Sequence, residues 1–361
     1  MKIKGILVTL IAPFENHIAN GGDKLLGNMP TIKKRLDERA YISGQMQRHS
    51  LFSAINRVNI DDQEDNHIGE NDDQYTYVSN ADGITSMIER DLRADMGGFM
   101  HTIDGIGSVR RTSPISATPA VAIDPSKFGN DLLVCVNNNP NEDAKKQAIV
   151  TVEYSQEDNM RMNFFLDVTS LSIYKTYEYD GNFHVKTIAH KFANESERKR
   201  RARIFLEATR FLNDYANQAR NEVCGEPQKV FIVFDPKLSR KASRYFKASE
   251  TEQERIKEEL TDRGAVFFYG DDTDEKCDSV LTAYKKAMQF LNENELYTCF
   301  SEDKVEKFKD IKSLINNQQV TKGEKEKKEK KGKMIPLIFL LRQLRLRFFK
   351  SIGTLYFALT I

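Results

Sequence analysis

Ser43, Gln45, Arg48 and His49 stand close enough along the chain to act as one site. On a helix opening at Ser43, Gln45, Arg48 and His49 fall at i, i+3 and i+4 and share one face. That face lies in the first turns, where backbone N–H groups without intrahelical partners and the helix dipole favour an anion. An amide, a guanidinium and an imidazole there suit a phosphate of a nucleic-acid backbone, with no evident means of reading bases. An ordinary capped helix with a polar surface meets the same description.

Other clusters are weaker pointers. Basic runs lie at Lys33-Lys34-Arg35, at Arg110-Arg111 and from Arg198 to Arg203, where five of six residues are cationic. The last run opens a helix, the end where the dipole disfavours each cation by roughly 0.3–1 kcal/mol. A solvated charged turn tolerates that, and a phosphate partner would offset it. The seven carboxylates between Asp61 and Asp73 superficially suggest calcium. Asn66 replaces the turn glycine and Asp72 the bidentate glutamate that a calcium loop requires, so that reading fails. Ser113 with His101 lacks a third group to orient a nucleophile and base. Gly105-x-Gly107 is an incomplete dinucleotide fingerprint. No cysteine pair or histidine spacing indicates a metal site, and no cofactor is expected.

Several elements must position these residues. Ile3 to Phe14 reads as a buried strand, followed by a permissive turning loop with Asn20-Gly21-Gly22-Asp23. A helix over Ser43 to Val58 carries Leu51, Ile55 and Val58 as its apolar stripe. A short helix from Ala81 carries Ile84, Met87, Ile88 and Leu92. Strand-like pieces Asp131 to Val136 and Ala148 to Tyr154 flank a polar turn and form a long hairpin, with a separate strand over Arg161 to Val168. A second long helix spans Glu197 to Gln218. A strand at Val230 to Phe234, a helix over Glu250 to Arg263, a strand at Val266 to Tyr269 and a helix over Cys277 to Leu291 complete the core. The order gives an α+β fold, a ferredoxin-like βαββαβ palm of the kind that RNA-recognition domains use.

At 361 residues, 40% apolar and 30% charged, the chain has material for a full core. The net charge of +1 conceals local patches, which are what phosphate contacts need. Scattered cysteines and the lack of a signal-peptide pattern point to a reduced, cytoplasmic protein. Residues 1–320 are expected to form the palm with insertions, a finger region at about 59–108 and a thumb hairpin at about 122–153. Residues 321–333 read as a disordered charged linker, with seven lysines and three glutamates from Lys322 to Lys333. Residues 334–361 form an apolar and basic tail whose runs are too short to span a membrane. It is read as a segment unrelated to the fold, with an amphipathic surface element as the alternative.

The Ser43-x-Gln45-x-x-Arg48 signature after a first strand and a Gly/Asn-rich loop resembles the first helix of CRISPR Cascade backbone subunits, in the RAMP superfamily with an RRM-like palm. Arg93-Ala94-Asp95-Met96-Gly97-Gly98-Phe99-Met100, followed by Asp104-Gly105 and Arg110-Arg111-Thr112-Ser113-Pro114-Ile115, is similar to that family's glycine-rich segment. The DevR-type autoregulator branch of type I systems is the nearest in pattern, over about Lys2 to Asp235. The resemblance implies a non-catalytic subunit that binds guide RNA, polymerises along it and meets target DNA through it, beside further copies of itself and other Cascade subunits. It implies guide contacts at Ser43, Gln45 and Arg48, with Met100 or Met96 against a displaced base. Asn20, Gly21, Gly22, Lys33, Arg35, Arg110 and Arg111 complete the expected RNA-binding set, with His49 added from the helix geometry. Two alternatives belong to other classes: a metal-dependent ribonuclease, for which the first loop offers only Asp23 and Asp37, and a DNA-binding autoregulator. No membrane partner is expected.

Overall fold

The computed structural model describes residues 1–19, 21–24, 30–62, 76–80, 85, 87–103, 107–135, 149–181, 183–216, 222–302 and 305. In chain order the first elements are β1 (Lys2–Ile3), β2 (Gly5–His17), β3 (Gly21–Lys24), β4 (Pro30–Ile32), β5 (Tyr41–Ile42), α1 (Gly44–Asp61) and α2 (Leu92–Gly97). Next come β6 (Phe99–Ile103), β7 (Gly107–Arg111), β8 (Ile115–Ala117), β9 (Ala120–Ala122), β10 (Phe128–Cys135) and β11 (Ile149–Asp167). Then follow β12 (Ile173–Asp180), β13 (Phe183–Lys191), α3 (Glu195–Ala208), β14 (Lys229–Asp235) and a 3-10 turn (Lys241–Lys247). α4 (Glu250–Asp262), β15 (Val266–Asp271), α5 (Val280–Glu293) and β16 (Glu295–Leu296) close the described chain.

Two compact units result. The first comprises Met1–Phe99, Arg111–Tyr174 and His190–Phe308; the second comprises Met100–Arg110, Lys175–Ala189 and Lys309–Ile361. Among the described residues, the second unit holds the greater part of two ribbons, β6 with β7 and β12 with β13. The main sheet of the first unit has eight strands in the order β15-β14-β2-β11-β9-β5, with β8 and β10 also pairing along β11. Its ladders are antiparallel. The mixed α/β architecture with antiparallel sheets agrees with the α+β class expected from the element order.

Strand alternation separates two cores. Ile6, Val8, Leu10, Ala12 and Phe14 of β2 point to one face, where they meet Leu51, Phe52 and Ile55 of α1, Ile204 and Phe205 of α3, and Tyr284 and Leu291 of α5. Leu7 points the other way and joins Phe165, Phe231 and Val233 beneath Tyr245, Ile256 and Leu260. Full burial of each such side chain contributes roughly 1.5–3 kcal/mol. The helices begin at polar caps: Ser43 accepts from the Met46 amide, Asn194 from Glu197 and Ser279 from Thr282.

Three boundaries differ from the sequence reading. The hairpin's second leg and the strand expected at Arg161 to Val168 are one strand, the 19-residue β11. It pairs with β10 over Ile149–Gln156 and with β2 from Gln156 onward, so the ladder passes from one partner to the next with a register shift between Gln156 and Asp158. The helix expected from Ala81 is α2, which opens only at Asp91, whose side chain accepts from the Arg93 amide; residues 81–84 and 86 lie outside the described residues. α3 ends at Ala208 rather than near Gln218: the Thr209 hydroxyl donates to the Leu206 carbonyl at 2.6 Å, and the Arg210 and Phe211 amides tighten onto the Glu207 and Ala208 carbonyls. Leu212 and Tyr215 stay buried all the same. The linker and tail expected at 321–361, and the hairpin turn at 136–148, lie outside the described residues.

Candidate nucleic-acid interface

The side chain of Arg48 joins the two sequence blocks in space. Its Nη2 donates to the Gly97 carbonyl at 2.7 Å, and its Nη1 donates to Ser113 Oγ at 2.9 Å and to the Ile115 carbonyl at 3.0 Å. Ser113 Oγ in turn donates to the Met96 carbonyl at 3.1 Å. Ser113 is therefore a strut between α1, α2 and β8. The glycines permit this closeness. A Cβ on Gly97 would meet Phe52 Cζ at 2.9 Å. Gly98 has φ of 65°, and a Cβ there would lie 2.5 Å from the Arg111 carbonyl oxygen.

Around this junction, Gln45 and His49 are exposed and Ser43 and Arg48 half-buried. The Ser43 hydroxyl accepts from Met46 N at 3.2 Å and keeps its own proton to donate. Arg48 and Arg93 lie 5.8 and 5.0 Å from the centre of the Phe52 ring. Burial lowers the pKa of both guanidiniums; at Arg93, Asp91 opposes that effect and Arg48 adds to it. Arg93 Nε is buried without a hydrogen-bond partner. Arg48 is held by its three protein acceptors, so Arg93, with its unpartnered Nε, and the exposed Gln45 and His49 are the groups here left to meet an anion. The sequence reading quoted Arg93 but did not select it, since nothing local relates it to Phe52.

The other expected residues are placed as follows. Met96 is fully buried, whereas Met100 on β6 is 79% exposed, so Met100 is the one of the pair presented outward. Arg110 on β7 is exposed in the second unit. Lys33 and Arg35 are exposed in the segment before β5, and Gly21 and Gly22 lie on β3. Asn20 is outside the described residues.

Arg111 is buried, with Nε on the Asp95 carbonyl at 3.0 Å and Nη2 on Asp95 Oδ1 at 2.6 Å and the Ser170 carbonyl at 2.8 Å. Its Nη1 donates to the Ile173 carbonyl. A phosphate contact would have to break these bonds, so the structure uses Arg111 to fix the glycine run.

Three of the five cations from Arg198 to Arg203 turn inward, while Lys199 and Arg203 stay partly exposed, so neither reading drawn from the charge holds for the whole run. Arg198 is fully buried and donates to the Leu171 and Val168 carbonyls at 3.0 and 2.8 Å. Arg200 bonds Glu197, Asn59 and Thr76. Arg201 links Glu197 and Asp95 at 2.7 and 2.6 Å. Glu195 and Glu197 in the first turn of α3 supply the negative charge that the dipole favours there. Burial alone would raise the pKa of Asp95. Arg111 and Arg201, with bonds from Arg201 and Ser172, outweigh that and hold it below the usual carboxylate value. Among the described residues, no group of three His, Cys, Asp or Glu side chains is placed to hold a metal ion.

No curated protein matches the chain. Among solved structures, a chain titled CRISPR RNA-guided surveillance complex is 12% identical, with 88% of this chain and 99% of that one covered at a TM-score of 0.45. A second, from a CRISPR RNA-guided surveillance complex titled pre-nicking, is 11% identical over 88% and 99% of the two chains, at a TM-score of 0.46. The family described as CRISPR-associated negative auto-regulator DevR/Csa2 matches residues 28–233, a span that takes in α1, the glycine run and Arg48's partners on both. With more than half of its length matched, the chain belongs to the CRISPR-associated DevR/Csa2 family.

Proposed function

We propose that this protein is a non-catalytic backbone subunit of a type I Cascade-type complex that binds a CRISPR guide RNA through its phosphates. The observation that carries the reading is the Arg48 junction. It brings the Ser43-x-Gln45-x-x-Arg48 helix start and the Gly97-Gly98 run together, with Gln45 and His49 left exposed on α1 and Arg93 over the Phe52 ring. We read β2, α1, β9, β11, α3 and β14 as the βαββαβ palm, because the order β14-β2-β11-β9 is that of its four strands. Such a site positions a backbone and leaves sequence to base pairing with target DNA. The β10–β11 hairpin is the element offered to a neighbouring copy, since a two-stranded hairpin is marginal in water without a surface to pack on. A head-to-tail contact of that kind builds an open array whose length the RNA limits.

The test is binding of labelled single-stranded RNAs of unrelated sequence. Gln45→Ala with His49→Ala weakens all of them alike, and Arg93→Gln lowers the salt slope by about 0.7. Removing residues 136–148 leaves short-RNA binding intact and abolishes stepwise growth on longer guides. Unchanged affinity in the folded variants, or displacement of the RNA by promoter duplex DNA, overturns the reading; the second result favours an autoregulator.

A further inference from the structure

Arg161 projects from the sheet face opposite the main helices, because Met160 and Met162 on either side of it pack into the core with α1, α3 and α5. Pairing aligns Lys229, Ile11, Arg161, Val121 and Tyr41 in one row across β14, β2, β11, β9 and β5. Immediately before β5 the chain makes a tight turn. The Arg35 amide donates to the Arg39 carbonyl at 2.9 Å, and Glu38 adopts φ of 60°. Arg35 and Arg39 therefore leave facing legs of one turn, and the Arg35 guanidinium lies 5.8 Å from the centre of the Tyr41 ring.

Within this group Arg39 has one carboxylate neighbour, Asp37, and Arg161 has none among the described residues. Arg161 is half-buried and, among the described residues, makes no side-chain hydrogen bond and no ion pair. Burial first, then repulsion from Arg39 and Arg35, lowers its pKa from the ordinary value, and no carboxylate opposes them. Of the turn's two acids, Asp37 is 3.6 Å from Arg39 and Glu38 is 3.4 Å from Lys34. Arg39 Nε is buried without a hydrogen-bond partner. A half-buried cation facing two others is costly in the absence of a bound anion.

We propose that Arg35, Arg39 and Arg161, with Tyr41 beside them, form a second phosphodiester site for single-stranded nucleic acid, separate from the start of α1. It rests on the reading above only in its choice of ligand. Guanidinium forks meet phosphate oxygens two at a time, and a neighbouring base stacks on the Tyr41 and Arg35 planes.

The experiment measures affinity for a labelled single-stranded RNA, and for DNA of the same sequence, over a range of salt in the full chain. Arg161→Gln is expected to lower the salt slope by about 0.7, the value of one single-strand phosphate, and Arg35→Ala with Arg39→Ala by at least as much. The Arg161→Gln melting temperature should hold or rise, since an uncompensated cation is removed. A purely structural arginine would give the opposite pattern, a lower melting temperature at unchanged slope, and that result overturns the proposal. If Arg161→Gln does not fold, the exposed Arg35 and the half-buried Arg39 carry the same test. Arg93→Gln runs in parallel. A slope lost only in the turn and Arg161 variants keeps this site and removes the α1 one, while a slope lost only at Arg93 does the reverse. The RNA and DNA arms assign the phosphodiester to whichever strand shows the larger loss, and no binding of either strand by the wild type overturns the site.

Discussion

Asp95 Oδ2 and Arg201 Nη1 meet at 2.6 Å with both side chains fully buried. Asp95 also accepts from Arg111 at 2.6 Å and from the amide and hydroxyl of Ser172 at 3.0 and 2.8 Å. One carboxylate thus ties α2 to α3, β7 and the approach to β12. Asp95→Asn leaves two buried guanidiniums short of their counter-charge and should destabilise the fold by about 3–5 kcal/mol in denaturant unfolding. Acid should reveal the same residue. The folded-state pKa lies below the unfolded value of about 3.9, so the stabilisation is complete above that value and fades as pH falls through the folded one. Unfolding curves between about pH 5 and pH 2 should show this loss in the wild type, and a shallower one in Asp95→Asn.

Arg48 should not tolerate lysine. Three acceptors around one planar fork (Gly97 carbonyl, Ser113 Oγ and Ile115 carbonyl) exceed what an ammonium can reach from the same backbone. Arg48→Lys should cost about 1.5–3 kcal/mol, read by chemical denaturation. RNA affinity should fall with it, because the glycine run loses its anchor. A lysine variant with wild-type stability would show that the fork is dispensable.

Gly98→Ala and Gly181→Ala separate crowding from backbone preference. Both glycines have positive φ, 65° and 57°. A Cβ at Gly98 would lie 2.5 Å from the Arg111 carbonyl oxygen, while one at Gly181 has nothing within 4 Å. Gly181→Ala should lose about 1–2 kcal/mol from left-handed backbone alone. Gly98→Ala should lose clearly more and disturb the Arg48 junction. Comparing the two melting temperatures checks the difference.

What the sequence revealed was local. The start of α1 at Ser43, its stripe through Leu51 and Ile55, and the shared face of Gln45, Arg48 and His49 all follow from cap chemistry and the helical repeat. The fate of Arg198 to Arg203 was hidden because the groups that bond it include Asp95, Asp62, Asn59 and Thr76, all remote in sequence. Arg161 gave no signal either: a lone arginine in a strand looks solvated until the register sets it in a row with Tyr41. The course of the chain after α3 was equally non-local, since Gly225 claims the Leu212 carbonyl.

β11 has a mechanical consequence. Nineteen residues of extended chain measure about 60 Å at roughly 3.3 Å each, without a change of strand. Its root is clamped between β2 and its neighbours, and among the described residues its far end pairs with β10 alone. The register shift at Gln156 and Asp158 is the point where such a beam bends. Beside it, fully buried His17 holds Asp158 at 2.9 Å. A bend there would swing the β10-paired segment against the sheet, and the His17–Asp158 contact sits at that pivot.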